Sequence, residues 1–137
     1  MIKQISVFVE NKPGRLSAVT QVLFEKGINL RAFTIADAGD FGVIRMVVDK
    51  TEEAYKALKE AGFTVTVNEV LAVEVEDKPG ELFKISKALG DAGVNIEYVY
   101  AFTSKKHKAL IIFRVSDSEK AKQILEKMGV LFKGEIE

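Results

Sequence analysis

One six-residue phrase occurs twice in this chain, and it constrains the fold more than anything else. Asn11-Lys12-Pro13-Gly14-Arg15-Leu16 returns as Asp77-Lys78-Pro79-Gly80-Glu81-Leu82, each residue 66 positions on (11 to 77, 16 to 82). Both prolines of the chain fall inside these copies. Each copy leads to a second shared phrase, Gly27-Ile28-Asn29-Leu30 and Gly93-Val94-Asn95-Ile96, at the same spacing. Duplication at this period means two copies of one small supersecondary unit.

The first copy begins with a period of two: Ile5, Val7 and Val9 alternate with Gln4, Ser6 and Glu10, the pattern of a half-buried strand. Phe8 is the one apolar residue on its polar face. Asn11-Lys12-Pro13-Gly14 ends that strand. Proline suits a helix start, where its missing N–H would lack a partner anyway, and Asn11 is placed to cap the helix from just outside. Leu16, Val19, Val22 and Leu23 follow at helical spacing until Gly27, a natural left-handed stop. A strand over Leu30–Ile35, a hairpin turn at Asp37-Ala38-Gly39-Asp40 and a strand over Gly42–Val48 come next. A helix from about Thr51 carries Ala54, Ala57, Leu58 and Ala61 on its inner face, and Phe63–Val67 closes the unit as a strand.

The second copy keeps this order. Leu71, Val73 and Val75 match the first strand and Leu82, Ile85, Ala88 and Leu89 the first helix, at 66 residues. Ala121, Ile124, Leu125 and Met128 match the second helix at 67 (54 to 121, 61 to 128). The one-residue slip is expected in the turn Ser104-Lys105-Lys106-His107, where an insertion is tolerated. The prediction is an α+β chain of two tandem ferredoxin-like βαββαβ repeats, residues 1–67 and 68–137, with Asn68-Glu69 as the only linker. Each repeat forms a four-stranded antiparallel sheet with two helices on one face. Units this small bury a modest fraction of their surface, so paired sheet edges and a homodimer are expected.

Twenty basic residues balance twenty acidic ones. A nucleic-acid partner normally requires a basic excess to displace counterions, so none is expected; Lys105-Lys106-His107-Lys108 is only a small local patch. The chain has no cysteine, hence no disulfide and no thiolate chemistry. Its opening residues lack a secretory pattern, and no apolar stretch approaches the roughly 18–20 residues that span a bilayer. A cytoplasmic protein with no membrane partner is expected.

Catalysis has little to stand on. The single histidine, His107, sits in a turn among lysines, and no serine has a base or a nucleophile-elbow frame nearby. No catalytic residue, metal ligand set or cofactor motif is expected. The Pro-Gly loops differ: each is a strand-to-helix turn whose free N–H groups make a carboxylate site, and glycine lets a ligand approach closely. The oxygen of Asn11 or the carboxylate of Asp77 would accept from an ammonium, completing the partners of an amino-acid zwitterion. Asn29 and Asn95 add a polar contact at the start of the second strand. The same residues are also good helix-start and helix-stop chemistry with no ligand at all.

Strand, Asn/Asp-x-Pro-Gly-x-Leu, helix and Gly-x-Asn-Ile/Leu, repeated within βαββαβ, resembles the ACT domain twice in tandem over essentially the whole chain. The resemblance implies a non-catalytic regulatory protein that binds an amino acid or other small metabolite and controls attached or partner enzymes of amino-acid metabolism; with no catalytic domain beside the repeats, a free-standing sensor or a regulatory subunit acting in trans is expected. It also implies ligand sites between the Pro-Gly loop of one domain and the second strand of its neighbour. On this sequence the lining would be Asn11, Lys12, Pro13, Gly14, Arg15 and Leu16 with Ile28, Asn29 and Leu30. In the second copy it would be Asp77, Lys78, Pro79, Gly80, Glu81 and Leu82 with Val94, Asn95 and Ile96. Arg15 would assist a carboxylate and Glu81 would repel one, so the two sites are expected to differ, the first binding better. An interaction module with purely structural loops is the alternative. RNA binding would need exposed aromatics on the central strands, and only Phe8 offers one.

Overall fold

Periods of two and of 3.6 residues alternate along the chain, and each becomes the element its period requires. The computed structural model describes residues 1–103 and 107–134. The order is β1 (Ile2–Glu10), α1 (Arg15–Glu25), β2 (Leu30–Ala38), β3 (Phe41–Val48), α2 (Thr51–Glu60), β4 (Thr64–Glu76), α3 (Glu81–Asp91), β5 (Ile96–Thr103), β6 (Lys108–Val115) and α4 (Ser118–Lys127). This is the expected α+β, tandem ferredoxin-like order. The chain forms two compact units, one of residues 3–69 and one of residues 70–134 together with Met1–Ile2.

In the first unit β3 lies between β1 and β2, antiparallel to both, and β1 lies between β3 and β4. The register sets Val7 opposite Ile44 and Ile44 opposite Ile35, so one face of the sheet is continuous and apolar. Ile5, Val7, Val9, Ile44 and Met46 on that face pack against Val19 and Leu23 of α1 and Ala54 and Leu58 of α2. In the second unit β6 lies between β4 and β5. Leu71, Val73, Val75, Ile111 and Phe113 pack there against Ile85 and Leu89 of α3 and Ala121 and Leu125 of α4. A fourth strand is reduced to one bridge, Val73 to Leu131. It is extended by bonds from Glu74 N to Val130 O (3.0 Å) and Phe132 N to Ala72 O (2.8 Å). Truncating a fully buried core residue such as Leu89 to alanine removes about 2–5 kcal/mol.

The duplication extends to irregularities. β2 pairs with β3 through a register shift between Leu30 and Ala32, and β5 with β6 through one between Ile96 and Tyr98, 66 residues on. β2 and β5 begin 66 apart (30 to 96) but β3 and β6 begin 67 apart (41 to 108), so the slip falls between Thr103 and Lys108. Ser104, Lys105 and Lys106, three residues of the expected insertion turn and two of the four in the basic patch, lie outside the described residues. His107 has a positive φ of 63°.

Several expectations need correction. No linker exists at Asn68-Glu69: β4 runs unbroken for 13 residues, Thr64–Glu69 in one unit and Val70–Glu76 in the other. Both residues can extend, and with no glycine or proline there is nothing to stop the strand. The polar face of β1 is not solvated, because Gln4 and Ser6 are buried; the Gln4 amide donates to Asn68 Oδ1 at 3.4 Å. Alternation reports which face is apolar and not what covers the other. Ala61 and Met128 are exposed helix-end residues, and β2 continues to Ala38 before the turn. Among the described residues no helix is long and apolar enough to cross a membrane.

Candidate functional site

β1 delivers the chain to the first Pro-Gly loop, and the β2–β3 turn holds it there. Asn11 N donates to Asp40 O at 2.9 Å, and the Asn11 side-chain amide donates to Asp37 Oδ1 at 3.1 Å and to Gly39 O at 3.0 Å. Asn11 is therefore a clamp between loop and hairpin and not a helix cap. The cap is Gly14, at φ 87°, and α1 begins only at Arg15 with Pro13 outside it. A left-handed cap position favours glycine, and glycine brings no side-chain acceptor. The first N–H groups of α1 are consequently left without a side-chain cap, and its first turn carries no acidic residue.

This helix end opens on a cavity of about 180 Å³ lined by Asn11, Lys12, Gly14, Arg15 and Leu16 of the loop. Ile35, Gly42 and Ile44 of the hairpin strands complete it with Val9 and Glu10. A second cavity of about 390 Å³ shares Val9, Glu10 and Arg15 with the first. Arg15 stands between the two, its Nε atom buried with no hydrogen-bond partner. Glu10 pairs with Lys12 at 3.0 Å. The hydrogen bond and charge of Lys12, with a smaller contribution from Arg15, hold the Glu10 carboxyl below its ordinary value. The chemistry on offer is a half-buried guanidinium and amides without a side-chain cap beside a small space, groups suited to an anion such as a carboxylate.

The second loop repeats the backbone and changes the charges. Gly80 caps α3 at φ 94°, and Asp77 N donates to His107 O at 2.8 Å, as Asn11 does to Asp40. Glu81 occupies the place of Arg15. Its side chain, 16% exposed, lies 3.6 Å from Lys78 and 3.4 Å from Lys84, while Lys78 also pairs with Glu76 at 3.0 Å. A carboxylate of the chain itself thus sits at this helix N-terminus, in the place an anionic ligand would take. Leu82 is largely exposed, and Pro79, like Pro13, lies just before the helix.

The Gly-x-Asn phrases lie at the far ends of α1 and α3. An eleven-residue helix is roughly 16 Å long, so within one unit Ile28, Asn29 and Leu30 do not meet the loop of Asn11 to Leu16. Ile28 and Val94 are buried in the two cores, and Leu30 and Ile96 pack against them. Asn29 N donates to Asp49 Oδ1 (2.9 Å) and receives Asp49 N on its carbonyl (3.1 Å); Asn95 makes the equivalent exchange with Ser116. Asp37, Ile35 and Phe41 escaped sequence reasoning, since nothing local ties residue 37 to residue 11. Among the described residues no three His, Cys, Asp or Glu side chains gather as a metal ion requires.

Comparison with known proteins identifies the family of the chain. The family profile described as an ACT domain pair matches residues 1–135. A solved structure from Bacteroides thetaiotaomicron is 40% identical with a TM-score of 0.88, covering 96% of this chain and 91% of that one. The regulatory subunit of aspartate kinase from Thermus thermophilus, in its ligand-free form, superposes at a TM-score of 0.66 with 21% identity, over 91% of each chain. The likeness to the kinase subunit is one of fold. No curated protein matches the chain.

Proposed function

Because the chain belongs to the family of ACT domain pairs, we propose that it is a non-catalytic regulatory protein that binds an amino acid and acts on an enzyme of amino-acid metabolism in trans. The observation that carries this reading is Arg15: a buried, unpartnered guanidinium nitrogen beside an uncapped helix N-terminus, facing a cavity. A buried guanidinium N–H left without an acceptor is costly, and a ligand oxygen would satisfy it. The ligand carboxylate binds Arg15 and the first amides of α1, and Glu10 faces its ammonium. The neighbouring wall comes from the second strand of another domain, since Asn29 and Leu30 are remote from their own loop. That arrangement suits a homodimer in a cytoplasmic setting. β2 pairs with β3 alone among the described strands, and Phe33 and Ile35 along it are half exposed, an edge that a second copy would cover.

Thermal denaturation with free amino acids at millimolar concentration tests the reading. A ligand at a hundred times its dissociation constant adds roughly 2.7 kcal/mol, several degrees in midpoint. A selective shift names the signal. No shift with any amino acid would instead favour an interaction module whose loops are structural.

A further inference from the structure

The cavity adjoining the carboxylate site has an aromatic wall. β1 and β3 are in a register that puts Phe8 opposite Val43 and Glu10 opposite Phe41, so Phe8, Glu10 and Phe41 share the sheet face turned away from the helices. Phe63, at the turn from α2 into β4, closes the space beside them. Phe41 is 61% exposed and Phe8 44%, two rings held in or near solvent around a hollow of about 390 Å³. That volume lies within the range of roughly 300–1,000 Å³ usual for small-molecule pockets. The 180 Å³ space at the Gly14 helix end is too small for more than a polar head group. Arg15 and Glu10 line both.

We infer that the first repeat is selective for an amino acid with an aromatic side chain, its carboxylate on Arg15 and its ring against Phe8 and Phe41. This rests on the function proposed above and specifies the ligand class of the same site. Two exposed phenylalanines offer edge and face contacts that reward a planar ring beyond the area it buries. No charged side chain other than Arg15 and Glu10 lines this cavity, and both are committed to the ligand's head. A basic or acidic ligand side chain would thus enter without a partner. Phe41 stands on a strand end, outside the buried core of its unit, and its truncation leaves that core intact.

The test is titration calorimetry of the full chain with L-phenylalanine, L-alanine, L-lysine and 3-phenylpropanoate, repeated on Phe41→Ala and Phe8→Ala. L-phenylalanine should bind at least roughly tenfold tighter than L-alanine, and either substitution should remove most of that ratio while leaving L-alanine unchanged. 3-Phenylpropanoate, which lacks the ammonium, separates an aromatic amino acid from any aromatic acid; equal affinity for the two would overturn the amino-acid half of the inference. Binding of other amino acids with no aromatic preference, or an unchanged ratio in both variants, would overturn the inference and leave the proposed function standing. A changed oligomeric state in Phe41→Ala with unchanged ligand affinities would assign the aromatic face to a second copy and overturn it too. No binding of any amino acid would defeat the proposed function itself.

Discussion

The side-chain amide of Asn11 donates to Asp37 Oδ1 across 3.1 Å, joining the first Pro-Gly loop to the β2–β3 hairpin 26 residues away. The same carboxylate oxygen accepts from Gly39 N at 3.0 Å, so one Asp37 atom orders both the turn and the loop. The loop that leads into Gly14 is thereby tied to the β2–β3 hairpin as well as to the helix it starts, where Gly14 O accepts from Ala18 N and Ser17 Oγ at 3.0 Å each.

Removing either partner should loosen that junction. Asn11→Ala and Asp37→Ala are each expected to cost about 1 kcal/mol, the net worth of such hydrogen bonds. Urea unfolding of both singles and the double should show the double costing clearly less than their sum, since both break one junction. Full additivity would mean the bond does not operate in solution.

Gly14 and Gly80 sit at φ 87° and 94°, and a Cβ at either would meet nothing within 4 Å. The cost of Gly14→Ala or Gly80→Ala is thus one of backbone conformation alone, about 1–2 kcal/mol. Denaturant midpoints should fall similarly for both. A loss several times larger at one site would reveal a steric contact absent here.

The two loops should differ in binding although they match in backbone. Arg15 stands at the first helix N-terminus, where it would meet a ligand carboxylate, whereas Glu81, paired with Lys78 and Lys84, stands at the second. Substitution of Asn11 or Gly14 should weaken amino-acid affinity more than the same change at Asp77 or Gly80. Equal losses by calorimetry would remove the distinction.

Acid should weaken both loops by a common route. Lys12 holds Glu10, and Lys78 holds Glu76, below the ordinary carboxylate value of 4.5. A depressed folded pKa stabilises fully above the unfolded value and is lost as pH falls through the folded one. Lys78 is raised above 10.5, chiefly by Glu76, so its contribution is complete below that value and disappears as pH climbs past the folded pKa. These pairs are exposed and their effect is small. Stability against pH for Lys12→Met should show a shallower acid decline than the parent below about pH 4.5; an identical acid limb would mean the pair contributes nothing.

Much of this was legible beforehand because it is local or repeated. The doubled Pro-Gly phrase gives the unit and its topology, Gly27 reads as the left-handed stop it is at φ 66°, and the 66-to-67 slip locates the extra residue in the second hairpin. What escaped depends on long-range register. Gln4 reads as a solvent-facing strand residue and is buried; Asn11 reads as a cap and is a clamp. Asn68-Glu69 reads as a linker and is the middle of β4. Phe41 carries no periodic signal, yet its pairing with Glu10 sets an aromatic ring beside Arg15. Burial of a polar face, reach across a turn and the walls of a cavity follow from which strands meet, and no window of neighbouring residues contains that.

The most direct measurement is calorimetric titration of free amino acids into the parent chain, Arg15→Ala and Glu81→Ala. Saturable binding in the parent, weakened at least roughly tenfold by Arg15→Ala and unchanged by Glu81→Ala, is the predicted result, a charge-assisted contact being worth about 1.5–3 kcal/mol. Equal affinity in all three proteins, or no binding in the parent, would contradict an amino-acid site at the first Pro-Gly loop.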